Sequence, residues 1–318
     1  MRTVIIGLSY GDEGKGRVSA HFTKDYDWSV RFNGANNAGH TAYKDGKAFK
    51  LHHLPAGALF GKKVALDTGM AISLRGLVAE LDELKLAGIE VDLHISQNIH
   101  LITQEHCRLD GDGSSIGTTK KGVGPCYADR AARKGWRIEE LRLLDTGGMI
   151  YKGLPPIQEG ESVLFESAQG IMLDVDYGCY PYVTSSSIMP SMVHKIDKVI
   201  GVMKAYTTRV GDGPPYRPQI LELTEMGKEY GTTTGRPRKC YWNDLRELDY
   251  AISIVQPDEI VVTKMDILTT VKPCIYDREG TLLEFSNTSE YSDFLVENIS
   301  QIKWVSYSPD GEMVRVNG

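Results

Sequence analysis

Long apolar stretches are missing from this 318-residue chain. No run approaches the roughly 20 consecutive apolar residues that a membrane helix requires, so no membrane association is expected. The first residues enter a β-branched segment at once, without the basic and apolar regions of a secretory signal, which points to the cytoplasm. Cysteine is sparse: Cys107, Cys126, Cys179, Cys240 and Cys274 are scattered, odd in number, and form neither a CxxC pair nor a Cys/His cluster with zinc spacing. Free thiols in a reducing compartment are expected, rather than a disulfide framework or a structural zinc site. Basic charge is not in excess either. The 36 Lys and Arg stand against 42 Asp and Glu, a net charge of -6. That argues against a nucleic-acid binder, whose basic face would dominate, and leaves room for a local anion pocket. Internal repeats, low-complexity tracts and linkers are absent as well, so a single domain over 1–318 is expected.

What the chain does have is alternation. Thr3–Gly7 reads as a buried strand, and Val30–Phe32 as another. Leu74, Leu77, Val78, Leu81 and Leu84 fall at helical spacing and predict a helix over 72–87, ending near Gly88. Val163–Phe165 runs into "ESAQG", and Lys198–Ala205 is a further core strand. Asn243 is placed to cap a helix carrying Leu245, Leu248, Ile252 and Val255, stopped before Pro257. "EIVVTKMDIL" gives one more strand, and the glycine- and lysine-rich stretch 110–135 reads as a loop. Apolar strands alternating with helices imply an α/β fold with a mainly parallel central sheet flanked by helices. Ligands bind such sheets at the carboxyl ends of the strands, where the glycine loops fall.

The first of those loops is "LSYGDEGKGR", residues 8–17. It fails the strict P-loop pattern, with Ser9 and Gly16 where glycine and a hydroxyl would stand. Backbone N–H groups of Gly14 and Gly16 at a helix start, with Lys15 as a point charge, can still bind phosphate. Asp12 and Glu13 are anomalous beside an anion unless one holds Mg²⁺ or acts as a base. "NNAGHT" places His40 in a second glycine turn, where a protonated imidazole could meet charge on a transferring phosphoryl group. "GTTKKGVGP" offers Thr118 and Thr119, and Arg133 lies just beyond. "GTTTGRPRK" sets three threonines before Arg236 and Arg238, suited to a carboxylate or phosphate. "TKMD" ends a core strand, and Asp266 could accept from both guanine N1–H and the 2-amino group, with Lys264 along the base.

Seven stretches together resemble adenylosuccinate synthetase, in that family's order over residues 1 to about 270: "GDEGKG", "NNAGHT", "GTT…GVGPCYADRAARKG", "AQG…LDVDYGCYPYVTSS", "KAYTTRVG", "TTTGRPR" and "TKMD". The resemblance implies a P-loop-NTPase-like fold and a ligase that joins L-aspartate to C6 of a 6-oxopurine nucleotide, using a nucleoside triphosphate and Mg²⁺. It implies Asp12 as base and metal ligand, His40 as the group that stabilises the phosphoryl in transit, and the Gly39 carbonyl as a second metal ligand. Gly14, Lys15, Gly16, Gly39 and Thr41 would hold the donor phosphates. Asn37, Thr118, Thr119, Arg133, Gln169, Thr184, Val210, Asp212 and Arg236 would surround the acceptor nucleotide, Arg133 reaching across a homodimer. Thr233, Thr234, Arg236 and Arg238 would bind aspartate, and Lys264 and Asp266 the donor base.

The chain departs from the family pattern in places. It is short, with only 35 residues between Arg133 and Gln169. Asp212 stands where alanine is usual, Ser167 where glycine is usual, and "VSYSPDG" replaces a stretch that helps hold guanine. These departures resemble a compact branch found in archaea and in bacteriophages with 2-aminoadenine in their DNA, whose phage members use dGMP with ATP or dATP. The expected acceptor is therefore dGMP, with Asp212 answering the 2-amino group. The alternative is an ordinary synthetase using IMP and GTP. A GTP-binding switch would leave His40, Gln169 and the arginine loop unexplained, and a phosphate-binding module without catalysis would give no reason for both Asp12 and His40.

Overall fold

A computed structural model describes residues 1–112, 118–140, 149–231, 235–308 and 313–316. Its centre is a ten-stranded sheet. From one edge the order is Val314–Arg315, Ile302–Val305, Glu259–Thr263, Lys198–Lys204, Arg2–Gly7, Val163–Gly170, Trp28–Arg31, Lys63–Leu66, Asp92–Ser96 and Met149–Tyr151. Every neighbouring pair is parallel except the edge pair formed by Val314–Arg315. This is the expected α/β architecture. Central strands are apolar on both faces because helices cover both: Val4, Ile5 and Ile6 are fully buried, as are Val163 and Leu164.

The chain departs from the expected local structure at four places, each with a physical reason. The helix Leu245–Val255 is capped by Asp244, whose side chain accepts from Arg246 N–H, while the Asn243 amide is turned inward to the Lys204 carbonyl. The strand expected through residue 268 stops at Thr263, because Lys264 takes φ 64° and starts a 3₁₀ turn over Met265–Thr269. Within 110–135 the stretch Val123–Ala131 is helical, capped by Gly122 at φ 77°. His40 opens an antiparallel hairpin, His40–Lys44 against Lys47–Leu51, instead of sitting in a glycine turn. The predicted helix over 72–87 is observed as Leu74–Leu86, its first turn capped by the Ser73 hydroxyl.

Arg2–Gly7 is the pivot of the sheet. The chain leaves it toward one side through Trp28–Arg31 and later crosses to the other side through Lys198–Lys204. Loops diverge at such a crossover and open a crevice beyond the strand ends. The carboxyl ends of Arg2–Gly7, Val163–Gly170, Lys198–Lys204 and Glu259–Thr263 all discharge their loops there.

Candidate active site

The two acids of the first loop behave differently. Glu13 is 1% exposed. Its Oε1 accepts the N–H groups of Ser9 and Gly11 at 3.1 and 2.8 Å, and its Oε2 takes Lys15 Nζ at 2.6 Å. The carboxylate thus fills an anion nest built by its own loop. Glycine is required around it: a Cβ on Gly7 would stand 2.5 Å, and one on Gly170 2.2 Å, from a Glu13 oxygen. The Glu13 carbonyl accepts the Thr263 hydroxyl at 2.6 Å, which ties the loop to a neighbouring strand end. Lys15, expected to face donor phosphates, lines the cleft but has its ammonium held by Glu13. Asp12 is half in solvent by contrast, at φ 62°, with Oδ2 2.8 Å from Arg238 Nε.

His40 lies over the first turn of the helix Lys15–Phe22, where a Cβ on Gly16 would come within 2.5 Å of its ring. Arg31 and Glu166, buried at 2% and 1%, form an ion pair of 3.0 Å beside it. Arg31 meets His40 Nδ1 at 3.2 Å, and Nε2 lies 3.2 Å from Glu166 Oε1 but out of line for a hydrogen bond. Burial pushes the imidazole down to about 4; the Glu166 charge opposes this and Arg31 adds to it. Burial thus favours the uncharged ring in this structure, against the expected protonated imidazole. Gly16→Ala should displace it and lower turnover about 10²-fold, the scale of one lost transition-state donor, with little change in substrate KM. Steady-state kinetics check this; a change under twofold would mean that the ring's seat is immaterial.

A cleft of about 920 Å³ joins these loops. It is lined by Asp12, Gly14, Lys15, Gly16, Asn37, Gly39, His40, Thr41, Thr118, Thr119, Gln169, Thr184, Val210, Asp212, Arg238, Lys264 and Asp266. Arg133 and Arg236 do not line it. Arg133 is exposed at the end of the helix Val123–Ala131, beyond the cleft of its own chain. Arg236 stands at the turn of its loop, where its carbonyl accepts Gly231 N–H. Thr233 and Thr234 lie outside the described residues. Asp212 reaches the rim only: its carboxylate pairs with Lys239 at 3.1 Å and is largely exposed.

Orphaned polar atoms collect in this cleft. Both amide atoms of Gln169 (itself at φ 53°), the Ser167 hydroxyl and Arg31 Nε are buried without a hydrogen-bond partner among the described residues. Such groups are costly unless a ligand completes them. The register against Arg2–Gly7 jumps from Ile5↔Glu166 to Gly7↔Gly170, so Ser167, Ala168 and Gln169 form a bulge that aims them outward.

Several functional neighbours escaped the sequence reading. Glu229 is fully buried and accepts from Lys204 Nζ (3.0 Å), Arg238 (2.6 Å) and the Tyr206 hydroxyl (2.7 Å). Burial raises its carboxyl, but Lys204, Arg238 and Lys264 outweigh that and hold it at about 2. Asp110 fixes the Thr118 hydroxyl and Gly122 N–H, both at 2.8 Å. Arg209 donates to the carbonyls of Tyr182, Asp212 and Pro214, all at 2.8 Å, and stacks on Tyr10 at 4.7 Å. A charge set in an apolar strand was the available signal: Arg31 in "WSVRF", Glu166 after "VLF", Lys204 after "GVM".

The donor set for a metal is small. No group of three or more His, Cys, Asp or Glu that could hold an ion occurs among the described residues. Glu13 is already spent on its nest, leaving the Asp12 carboxylate and the Gly39 carbonyl. That composition fits Mg²⁺, which takes one or two protein carboxylates and otherwise keeps water and substrate phosphates.

The adenylosuccinate synthetase family model matches residues 4–147 and 143–294. An adenylosuccinate synthetase of Caldanaerobacter subterraneus is 37% identical over 89% of this chain and 82% of its own length. That of Neorickettsia sennetsu is 36% identical over 96% and 89%. The fully ligated adenylosuccinate synthetase of Plasmodium falciparum superposes with TM-score 0.85 at 26% identity, covering 99% of both chains. The cyanophage S-2L succinoaminodeoxyadenylate synthetase, bound to dGMP and dATP, gives 0.81 at 22% identity over 99% and 95%, a likeness of fold.

Proposed function

The chain belongs to the adenylosuccinate synthetase family, a family of C–N bond-forming ligases, and on that premise we propose how its cleft joins L-aspartate to C6 of a 6-oxopurine nucleoside monophosphate. The observation that carries the reading is the position of Asp12: one accessible carboxylate, on the phosphate loop, in contact with the arginine of the carboxylate-binding loop. Asp12 takes the purine N1 proton, and the electron pair moves to O6. O6 attacks the terminal phosphorus of the triphosphate, whose diphosphate leaves. His40 stabilises the phosphoryl oxygens in transit. The amine of L-aspartate, held by Arg238, then attacks C6; phosphate leaves, and the amine gives up its proton. Mg²⁺, held by Asp12 and the Gly39 carbonyl, supplies charge neutralisation on the phosphates when bound. Gln169, whose amide atoms have no hydrogen-bond partner among the described residues, completes the acceptor pocket.

The acceptor on this reading is dGMP, with ATP or dATP as donor. Asp212 at the cleft rim supports it, since a carboxylate there can accept from a purine 2-amino group once it leaves Lys239. IMP with GTP is the second reading, favoured by the relatives' names and by Lys264 and Asp266 in the cleft. One assay grid decides: IMP, GMP or dGMP against GTP, ATP or dATP, with aspartate and Mg²⁺. Succinyl-purine from IMP alone removes the dGMP reading. Asp212→Ala should lower the dGMP/IMP ratio of kcat/KM about 10-fold, the worth of one hydrogen bond to a charged group. An unchanged ratio excludes that role. A homodimer would bring Arg133 to the partner's acceptor phosphate, which accounts for its position outside its own cleft.

A further inference from the structure

Glu229 is not among the substrate-contacting residues, yet three cationic side chains of the cleft wall converge on it. Arg238 donates to its Oε2 at 2.6 Å and reaches Asp12 with its other edge at 2.8 Å. Lys204 Nζ bonds both carboxylate oxygens at 3.0 Å, and the Tyr206 hydroxyl adds 2.7 Å. Lys264 Nζ stands 3.9 Å away and donates to the carbonyl of Gly227, two residues before Glu229. The backbone follows the same plan. The Glu229 carbonyl accepts Arg238 N–H, and its N–H is donated to Thr224. One buried carboxylate thus fixes the arginine assigned to aspartate and stands beside the lysine assigned to the donor base.

We propose that Glu229 is a positioning residue that sets these two subsites together, so that the aspartate pocket and the donor-base pocket share one electrostatic anchor. The proposal rests on the ligase reading above. A guanidinium hydrogen-bonded to Glu229 through one Nη and ion-paired with Asp12 through Nε is held in orientation, and a fixed plane is what carboxylate recognition needs. A lysine whose charge is half satisfied by a buried carboxylate keeps its chain along the base pocket. The acceptor pocket, built from the Thr118–Thr119 loop, Gln169 and Thr184, makes no contact with Glu229 among the interactions described above.

The test compares wild type, Glu229→Gln and Glu229→Asp by KM for L-aspartate, for the Mg²⁺–triphosphate donor and for the acceptor, each with the others saturating. Glu229→Gln should raise the KM for aspartate and for donor about 10-fold each and leave that for acceptor within twofold. Glu229→Asp, which keeps the charge, should bring aspartate KM back to within threefold. An equal rise in all three, or lost stability with none moved, overturns the inference. If Glu229→Gln does not fold, Glu229→Asp decides alone: both affected KM values should rise about threefold with acceptor unchanged, and no such selectivity overturns it. Wild type that forms no succinyl-purine at all would instead fail the ligase reading.

Discussion

Asp12→Asn is expected to cut succinyl-purine formation about 10³-fold or more, the range for a general base, while fold and nucleotide binding persist. Asparagine keeps the size of aspartate and loses both the proton acceptance and the negative charge. The fold should tolerate it because Asp12 is partly solvated and, among the described residues, pairs with Arg238, which retains Glu229 at 2.6 Å. The nest around Glu13 is untouched, so the phosphate loop keeps its shape. Thermal melting within a degree or two of wild type, unchanged binding of the acceptor nucleotide without Mg²⁺ and lost turnover are the three expected readings. Turnover above a tenth of wild type would mean that another group takes the N1 proton and would remove Asp12 from the base role.

The five central strands were legible because they are short, apolar on both faces and closed by polar loops, the signature of buried parallel strands, whereas Lys63–Leu66, Asp92–Ser96, Met149–Tyr151, Ile302–Val305 and Val314–Arg315, toward the sheet edges, were not read. The helix Leu74–Leu86 was legible by spacing. What escaped the sequence were partnerships across distance. Arg31 and Glu166 are 135 positions apart and meet only because Trp28–Arg31 and Val163–Gly170 are neighbours in the sheet. They stand beside His40 with opposed effects on its imidazole, and the burial that outweighs them is not visible in any local pattern. Asp12 and Arg238 join loops 226 positions apart in the same way. Local competition was missed as well: at Asn243 and Asp244 two good capping residues stand side by side, and the buried Lys204 carbonyl claimed the first. Most of the described motif residues nevertheless fall in one cleft, Arg133 and Arg236 excepted, because a parallel sheet gathers its strand ends regardless of their separation in sequence.

Glu13→Gln is expected to cost stability and activity together, unlike Asp12→Asn. Glu13 faces three donors: Ser9 N–H, Gly11 N–H and the Lys15 ammonium. A carboxylate accepts from all three. A glutamine amide carries one NH₂, and whichever way it turns, that NH₂ meets a donor. Lys15, 8% exposed, is left without its counter-charge, and breaking a buried pair by removing one partner costs about 3–5 kcal/mol. Relief by moving away is limited, since the space beside Gly7 and Gly170 is too tight even for a Cβ next to the carboxylate and Thr263 holds the Glu13 carbonyl. The loop that carries Asp12 should therefore shift, and turnover should fall about 10²-fold, the penalty that small misplacement of reacting groups commonly brings. Thermal unfolding and succinyl-purine kinetics on the same preparation check both parts. Wild-type melting with reduced turnover would make Glu13 a direct participant in the chemistry. Reduced melting with wild-type turnover would mean that the loop re-forms around substrate phosphates, with Lys15 released from Glu13 onto them.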